Sequence, residues 1–552
     1  MSLKLYQTSS LNKTLIDSES EPLELKKLSC LKGEEVSYQI VTEFSWNMSH
    51  KGRAEVKIES TLGNCVSIRE IGNVPVELPT WQPGSDDDGG YVSLKPGIYP
   101  DPLYNINGNM AELLPGFKRS FWVSIKTSEA TPSGLHSIKV SFENKEDDIF
   151  AEAIMELEVI DAVLPRQELI VTQWFHSDCL ADYYGCEVFS ERYWQIVESF
   201  MKTAAQNGIN MILTPIFTPP LDTEIGSERP TVQLVDIAKD ESGYTFNFDK
   251  LKRWIDMAHS SGIRYFEMAH LFSQWGAKCT PKIIVTENGE PIKKFGWHVS
   301  ADDKMYTEFL KSFLPALTEF FDREGISENV YFHISDEPHL PDKEHYRSAK
   351  SIVKPLIGNC KTMDALSDYE LYREGLVDTP VVGVYRIKDF LDAKVPGIWA
   401  YYCCSHCRNV SNRFIAQKSL FNRMIGLQMY KYDIKGFLQW GYNFYYSQLS
   451  RELINPYAVT DSRNAFPSGD PFSVYPGRDG EAIESIRLKV FKEALQDMRA
   501  LKLLENHVSK SEIIKLIEDE AKCEIEFNQF PKDEEFLIRL REKINSLIKE
   551  KL

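Results

Sequence analysis

The chain has 552 residues, of which 43% are hydrophobic and 26% charged, which is typical of folded globular proteins and too long for one ordinary core. Its formal net charge of −18 repels phosphates, so neither nucleic acid nor anionic lipid is expected as a partner. No run of about 18 apolar residues occurs, so no membrane span is expected. The N-terminus shows no apolar signal segment and most cysteines are far apart, which favours a cytoplasmic location.

Residues 1–165 show a period-two alternation of apolar and polar side chains. Ile138, Val140 and Phe142, for example, alternate with polar neighbours. This pattern, broken by Gly, Pro and Asn turns, predicts half-buried antiparallel strands and therefore a β-sandwich. Residues 80–118 are rich in Pro, Gly and Asp, and we expect a long loop there.

Residues 166–505 alternate strand-like and helix-like stretches, which predicts a (β/α)8 barrel. An open doubly wound sheet is the alternative, although no glycine-rich phosphate-binding sequence follows any strand. Residues 506–552 are rich in Lys and Glu and predict a short C-terminal helical segment packed on the barrel. The predicted barrel strands are 169–176, 209–217, 263–271, 330–336, 360–366, 380–387, 397–404 and 436–442.

The fourth predicted barrel strand ends in Ser335-Asp336-Glu337-Pro338. Active sites of such barrels form at the C-terminal strand ends, so we expect Asp336 and Glu337 to be catalytic. Close carboxylates repel, which separates their pKa values and yields the neutral acid and the anion that glycoside hydrolysis uses. Glu337 precedes a proline and is expected to be extended. The alternative is structural: Asp336 caps the next element and Glu337 pairs with a cation.

Other strand ends carry rings and polar groups that suit a sugar-binding site. Because strand side chains alternate, Trp440 and Tyr442 are expected to share one face. The candidate substrate-binding residues are Trp174, His176, Trp275, Tyr385, Trp440, Tyr442 and Asn443.

A cysteine cluster lies at the end of the seventh predicted strand. Cys404 and Cys407 have the spacing of zinc or redox sites, with Cys403 beside them. No second pair of suitably spaced ligands occurs nearby, so packed free thiols are the other interpretation. We predict neither a metal nor a cofactor.

Four stretches form a distinctive set: Ser335-Asp336-Glu337-Pro338, Gly436-Phe437-Leu438-Gln439-Trp440-Gly441-Tyr442-Asn443-Phe444, Tyr475-Pro476-Gly477-Arg478-Asp479-Gly480 and Ser485-Ile486-Arg487-Leu488. This set resembles glycoside hydrolase family 123, which contains β-N-acetylgalactosaminidases. The resemblance in architecture covers nearly the whole chain. The sequence departs from the family at 496–500, in the last barrel helix, where such proteins usually carry Asp-Tyr-Glu-Tyr; the departure bears on packing more than on catalysis.

The resemblance implies a retaining, substrate-assisted mechanism, in which the 2-acetamido oxygen of the sugar attacks C1. It implies that Asp336 holds the acetamido N–H and that Glu337 protonates the leaving oxygen and then activates water. Tyr385, Trp440 and Tyr442 are expected to wall the acetamido pocket, and Asn443 to bind a sugar hydroxyl. The expected substrate is an oligosaccharide or glycolipid ending in β-linked N-acetylgalactosamine.

Two other functions remain open at this point. A conventional retaining glycosidase would use Glu337 as acid/base and a second carboxylate, for example Asp364, as nucleophile. A non-catalytic carbohydrate-binding barrel would need neither carboxylate for chemistry.

Overall fold

The computed structural model describes residues 3–45, 52–81, 88–145, 149–274 and 276–552, and its first part is a sandwich of two five-stranded sheets. In chain order the sandwich strands are β1 (Leu3–Ser9), β2 (Lys27–Lys32), β3 (Glu35–Phe44), β4 (Arg53–Ser60), β5 (Val66–Val76), β6 (Gly97–Asn105), β7 (Met110–Glu112), β8 (Lys118–Lys126), β9 (Gly134–Asn144) and β10 (Ile149–Val163). The sheets run β1-β3-β8-β5-β6 and β2-β10-β9-β4-β7. The predicted sandwich is confirmed, although β2 and β10 pair in parallel rather than antiparallel.

The long loop expected at 80–118 is wrong between residues 97 and 112, where β6 and β7 lie. Residues 82–87 of this stretch lie outside the described residues. Strand β6 contains Pro100 and Pro102 but occupies the edge of its sheet, where a missing N–H breaks no ladder. Its buried Asp101 forms an ion pair with Arg487 at 2.8 Å. The proline-rich segment therefore pairs with the sandwich and also anchors it to the following domain.

Eight parallel strands close into a barrel in the second part of the chain, as predicted, so the open doubly wound sheet is wrong. Each observed strand is shorter than its predicted run. The barrel strands are β11 (Ile170–Gln173), β12 (Met211–Thr214), β15 (Tyr265–Met268), β18 (Val330–Phe332), β19 (Lys361–Leu366), β20 (Thr379–Gly383), β21 (Trp399–Tyr401) and β22 (Gly436–Gln439). The helices around them are α1 (Ser177–Tyr184), α2 (Glu191–Gln206), α3 (Asp249–Ser261), α4 (Lys304–Glu324), α5 (Lys343–Val353), α6 (Tyr369–Arg373), α7 (Ile387–Asp392), α8 (Ser419–Lys431) and α9 (Ile486–Leu504).

A four-stranded sheet at the C-terminal face of the barrel was not predicted. It consists of β13 (Asp236–Asp240), β14 (Gly243–Asn247), β16 (Ile283–Glu287) and β17 (Glu290–Phe295). These strands come from the long loops after β12 and β15, and β13 joins the loops by pairing with β16. The same two loops carry Asp222 and Gln274. A hairpin of β23 (Val474–Pro476) and β24 (Ala482–Glu484) precedes α9.

The C-terminal segment contains α10 (Lys510–Ala521) and α11 (Glu534–Lys551), and a buried charge network holds α11. Asp497 of α9 accepts hydrogen bonds from Arg423 of α8 at 2.7 Å and from Arg541 of α11 at 2.9 Å. Arg541 also donates to Glu34 of the sandwich at 2.8 Å. Asp497 therefore lies where the sandwich, the barrel and the C-terminal segment meet. In the part of the chain that the structure describes, no helix is long and apolar enough to cross a membrane.

Replacing Asp497 with asparagine is expected to lower the free energy of unfolding by about 3–5 kcal/mol, because it leaves two buried guanidinium groups short of their shared anion. Asp392, whose ion pair with Lys388 is exposed, provides the matched control, and Asp392→Asn should cost about 1 kcal/mol or less. Urea unfolding of the two variants measures both. Equal urea midpoints for Asp497→Asn and Asp392→Asn would contradict the role given to Asp497.

Candidate active site

A pocket opens at the C-terminal ends of the barrel strands, where the chemistry was predicted. Its cavity volume is about 150 Å³, on the order of ten times the volume that one water requires. That size fits a single small ring rather than an extended chain. Apolar and polar side chains share its lining, which consists of Trp174, His176, Leu221, Asp222, Gln274, Asp336, Glu337, Ala365, Tyr401, Cys403, Cys404, Leu438, Trp440 and Phe466.

Asp336 and Glu337 both line this pocket although they are neighbours in sequence. Glu337 has a φ of +43°, so the extended conformation expected before Pro338 is wrong. This left-handed geometry, which costs a non-glycine residue about 1–3 kcal/mol, replaces the strand alternation that would point the two side chains to opposite faces. The strained turn is therefore what brings both carboxyl groups to one cavity.

Asp336 is buried and receives one hydrogen bond from a neighbouring loop, in which Gln274 Nε2 donates to its Oδ2 at 3.1 Å. The side-chain oxygen of Gln274, Oε1, in turn accepts a hydrogen bond from the backbone N–H of Asp222 at 2.6 Å. This bond fixes the orientation of the Gln274 side-chain amide. Burial, with the adjacent Glu337, raises the pKa of Asp336, and the Gln274 donor opposes that rise.

Glu337 accepts a hydrogen bond from Tyr401 Oη at 2.7 Å. Burial, followed by the nearby Cys403, raises the pKa of Glu337, while the Tyr401 hydroxyl lowers it. Because two interacting carboxyls release their protons in two steps that belong to the pair, the site can hold one proton and one charge at intermediate pH. A single proton shared by an acid and an anion is the state that glycoside hydrolysis requires.

Three of the predicted substrate-binding residues, Trp174, His176 and Trp440, lie in the pocket wall. His176 accepts from Arg229 at Nδ1 and donates from Nε2 to the Trp440 carbonyl at 3.0 Å. Burial, followed by the Arg229 charge, lowers the pKa of His176 to about 4, so it is neutral. The Trp440 indole N–H donates to Asp470 at 2.9 Å, which fixes the ring.

Two predicted substrate-binding residues lie elsewhere. Tyr442 is fully buried and donates to the Phe200 carbonyl of α2, because β22 ends at Gln439 and the chain turns outward before Tyr442. The buried Asn443 uses its amide on the backbone of His176, at 2.9 and 3.0 Å. The predictions that Tyr442 walls the acetamido pocket and that Asn443 binds a sugar hydroxyl are therefore wrong, and Asn443 instead positions His176 in the pocket wall.

Tyr385 and Trp275 are the two remaining predicted substrate-binding residues. Tyr385 is 44% exposed and its hydroxyl accepts from the backbone N–H of Arg408 at 2.8 Å, so it lies outside the pocket lining. Its ring contacts His406, whose centroid is 4.8 Å away. Trp275 lies outside the described residues, and its predicted role stays a prediction.

Several lining residues were not predicted as site residues. Asp222 and Gln274 lie in the long loops after β12 and β15, and no period or motif marks them in the sequence. Burial raises the pKa of Asp222 to about 6. Tyr401 could have been found, since it lies in a predicted strand rich in aromatic residues, but only the fold shows that its hydroxyl reaches Glu337.

The cysteine cluster contributes to the same wall. Cys403 and Cys404 line the pocket and Cys407 is buried. All ten cysteines are unpaired. Within the described ranges, no cysteine belongs to a group of three or more His, Cys, Asp and Glu side chains close enough to hold a metal ion. The structure therefore favours free thiols at a strand end over zinc at the Cys-x-x-Cys spacing.

Asp364, the nucleophile of the conventional alternative, lies below the pocket and is fully buried. One of its carboxylate oxygens is 3.1 Å from His333 Nδ1, and the other accepts from Tyr346 and from the Ile334 backbone. With both oxygens occupied and no place in the lining, Asp364 is a wrong choice of nucleophile. Asp222 is the remaining carboxylate in the pocket wall.

A family profile described as "Glycoside hydrolase 123, catalytic domain" matches residues 174–504. The match spans more than half of the chain and includes the whole described site. No protein with a curated description matches the sequence.

Among solved structures, the chain is similar to a family 123 glycoside hydrolase from Clostridium perfringens that was analysed for glycolipid glycan hydrolysis. The TM-score is 0.73 at 16% identity, covering 100% of this chain and 98% of that one. At this identity the likeness shows the fold. A β-glucuronidase from Parabacteroides merdae (TM-score 0.31, 10% identity, 89% of this chain and 51% of that one) and an endo-β-1,4-mannanase from Thermotoga petrophila (0.34, 13%, 61% and 77%) are too distant to support an argument.

Proposed function

Because the chain belongs to glycoside hydrolase family 123 and is therefore a glycosidase, we propose that it is a retaining exo-β-N-acetylgalactosaminidase using the substrate's 2-acetamido group as nucleophile. One observation carries the proposal: two adjacent carboxyl groups, the buried Asp336 and the half-buried Glu337, face a small pocket and have different hydrogen-bond partners. A pocket of this size suits removal of one terminal sugar.

The adjacency of the two carboxyls suits this chemistry because the acetamide and the glycosidic oxygen are neighbours on the sugar ring. Asp336 accepts the acetamido N–H, orients the amide oxygen toward C1 and stabilises the positive charge that develops in the oxazolinium ring. Glu337 protonates the departing oxygen and then removes a proton from the incoming water, which gives net retention.

The pocket wall supports recognition of a single ring. Trp174 and Trp440 offer aromatic surfaces, and the neutral His176 is part of the same lining. Asp222 lines the pocket beside Gln274 and offers a carboxylate that accepts hydrogen bonds from sugar hydroxyls. Phe466, whose ring is 4.9 Å from that of Trp440, extends the apolar wall.

The conventional two-carboxylate mechanism has one specific observation in its favour, the presence of Asp222 in the lining. In that mechanism Asp222 attacks C1 and Glu337 remains the acid/base. Asp336 would then have no direct part, and the substrate would need no acetamido group. Substrate assistance therefore requires a 2-acetamido group on the sugar, and the conventional mechanism does not.

The proposed substrate is an oligosaccharide or glycolipid that ends in β-linked N-acetylgalactosamine, in keeping with the glycolipid glycans named for the Clostridium perfringens enzyme. The ten unpaired cysteines support the proposal that the protein works in a reducing compartment such as the cytoplasm.

The experiment is release of the terminal sugar from matched β-GalNAc and β-GlcNAc glycans, followed by proton NMR of the first product. We expect preferential release of N-acetylgalactosamine from the non-reducing end, appearing first as the β-anomer and then mutarotating. The α-anomer as first product would contradict retention, and internal cleavage would contradict exo-action.

A further inference from the structure

Four titratable side chains form a buried cluster below the pocket, and the proposed chemistry does not use them directly. Glu267 lies in β15, His270 follows that strand, His333 follows β18 and Asp364 lies in β19, all 0% exposed. His333 Nδ1 is 3.1 Å from Asp364 Oδ1, and its Nε2 is 3.8 Å from Glu267 Oε1. One imidazole therefore lies between two carboxylates in the barrel interior.

A metal ion is the first alternative for such a group, since His270, His333 and Asp364 place one ligand atom each within 4.8 Å of the others. The rings of His270 and His333, however, lie face to face, with centroids 4.2 Å apart and planes 17° apart. Two imidazoles that share an ion point their nitrogens at one centre about 2.0–2.1 Å away, which stacked rings cannot do without rotating. The geometry favours an ion pair over a metal site.

His333 is the cation of this cluster. Burial alone would lower its pKa, but the hydrogen bond with Asp364 and the negative charges of Glu267 and Asp364 raise the pKa to about 10. His270 has no such partner; burial and the His333 charge lower its pKa well below the usual value. A charged imidazole thus stacks on a neutral one, and Trp174 packs edge-on against both.

The same cluster contacts the chain segment that leads from His333 to Asp336 and Glu337. Asp364 contacts the His333 ring through one oxygen and accepts the Ile334 backbone N–H through the other at 3.2 Å. Tyr346 of α5 also donates to that second oxygen. Three residues after His333 the chain reaches Asp336, and the His333 charge opposes the rise in the pKa of Asp336 that burial and Glu337 produce.

We propose that His333 is a positioning residue, a fixed imidazolium that favours the ionised form of Asp336 and holds this residue below the substrate's acetamido group. The inference rests on the proposed function, because it gives Asp336 the role of an anion. The charged and titratable groups that face Asp336 are Glu337, His333 and Asp364, with the Gln274 amide beside them. Those that face His333 are Asp364, Glu267 and His270.

The test compares the pH dependence of kcat/KM for His333→Gln and Asp364→Asn. Loss of the cation makes ionisation of Asp336 harder, so the acid limb of the His333→Gln profile should move up by about one pH unit. Asp364→Asn removes an anion that raises the pKa of Asp336 and leaves His333 with Glu267 as its remaining carboxylate, so the acid limb should not move up. If His333 only supports the structure, kcat should fall in both variants and neither limb of the pH profile should move.

A second readout does not depend on substrate. In protein labelled with ¹⁵N-histidine, the ring resonances that are absent from the His333→Gln spectrum belong to His333. In the wild type these resonances should have the shifts of an imidazolium from pH 5 to 8.5. A neutral His333 at pH 7, or a stoichiometric metal ion in the purified protein, would overturn the inference whatever Asp336 does. Full activity of Asp336→Asn would instead refute the proposed function and leave the charge state of His333 as measured.

Discussion

Replacing Glu337 with glutamine should lower kcat/KM by about 10³–10⁴ on glycans with poor leaving groups, and by about tenfold or less on activated aryl glycosides. The reason is that glutamine cannot protonate the departing oxygen, whereas a stable phenolate needs no proton. Because kcat/KM reports the steps up to the first irreversible bond cleavage, it isolates this role from the later activation of water. A series of aryl β-GalNAc substrates with leaving groups of decreasing pKa measures it.

The control for this series is Glu344→Gln, which changes an exposed carboxyl of α5 and should leave every rate unchanged. An equal loss on all leaving groups would contradict the acid role of Glu337. No loss on any substrate would mean that the pocket binds sugar without this residue taking part in chemistry.

Replacing Asp336 with asparagine should lower kcat/KM by about 10²–10³ on every N-acetylhexosaminide, whatever the leaving group. Asparagine preserves the shape but removes the anion that stabilises the oxazolinium charge, and that charge forms on the sugar rather than on the leaving oxygen. The leaving-group plot should therefore shift down in parallel with that of the wild type, whereas the Glu337→Gln plot should steepen.

Asp222→Asn is the matched control, since it removes the other carboxylate of the pocket wall. Under substrate assistance it should raise KM with a smaller effect on kcat, because Asp222 contacts hydroxyls in both the ground state and the transition state. If Asp222→Asn abolished turnover while Asp336→Asn remained active, the conventional mechanism with Asp222 as nucleophile would replace the one proposed.

Much of the fold could be predicted because its signals are local. Alternation in the sandwich and the succession of strands and helices in the barrel both arise from short-range periodicity, and the strand-four carboxyls follow from the rule that barrel sites form at C-terminal strand ends. The sheet of β13, β14, β16 and β17 was missed because its strands are short and lie in loops. Strand β6 was missed because its prolines indicate a loop unless the strand is known to lie at an edge.

The side-chain directions at the site were less predictable for a physical reason. Period-two counting places Trp440 and Tyr442 on one face, but it holds only while the strand continues, and β22 ends at Gln439. Beyond that point Gly441 packs its backbone against the Pro471 carbonyl, where a Cβ would lie 2.2 Å from the oxygen. The left-handed turn at Glu337 is similar, since tertiary contacts such as the Tyr401 hydrogen bond override the local preference of a residue before proline.

The measurement that tests the central claim most directly is the ratio of kcat/KM for an aryl β-GalNAc to that for the matching aryl β-galactoside, which lacks the 2-acetamido group. If the substrate supplies the nucleophile, the wild-type ratio should be on the order of 10³ or more, since the intramolecular attack disappears with that group, and it should fall in Asp336→Asn. Comparable rates on the two sugars in the wild type would contradict substrate assistance.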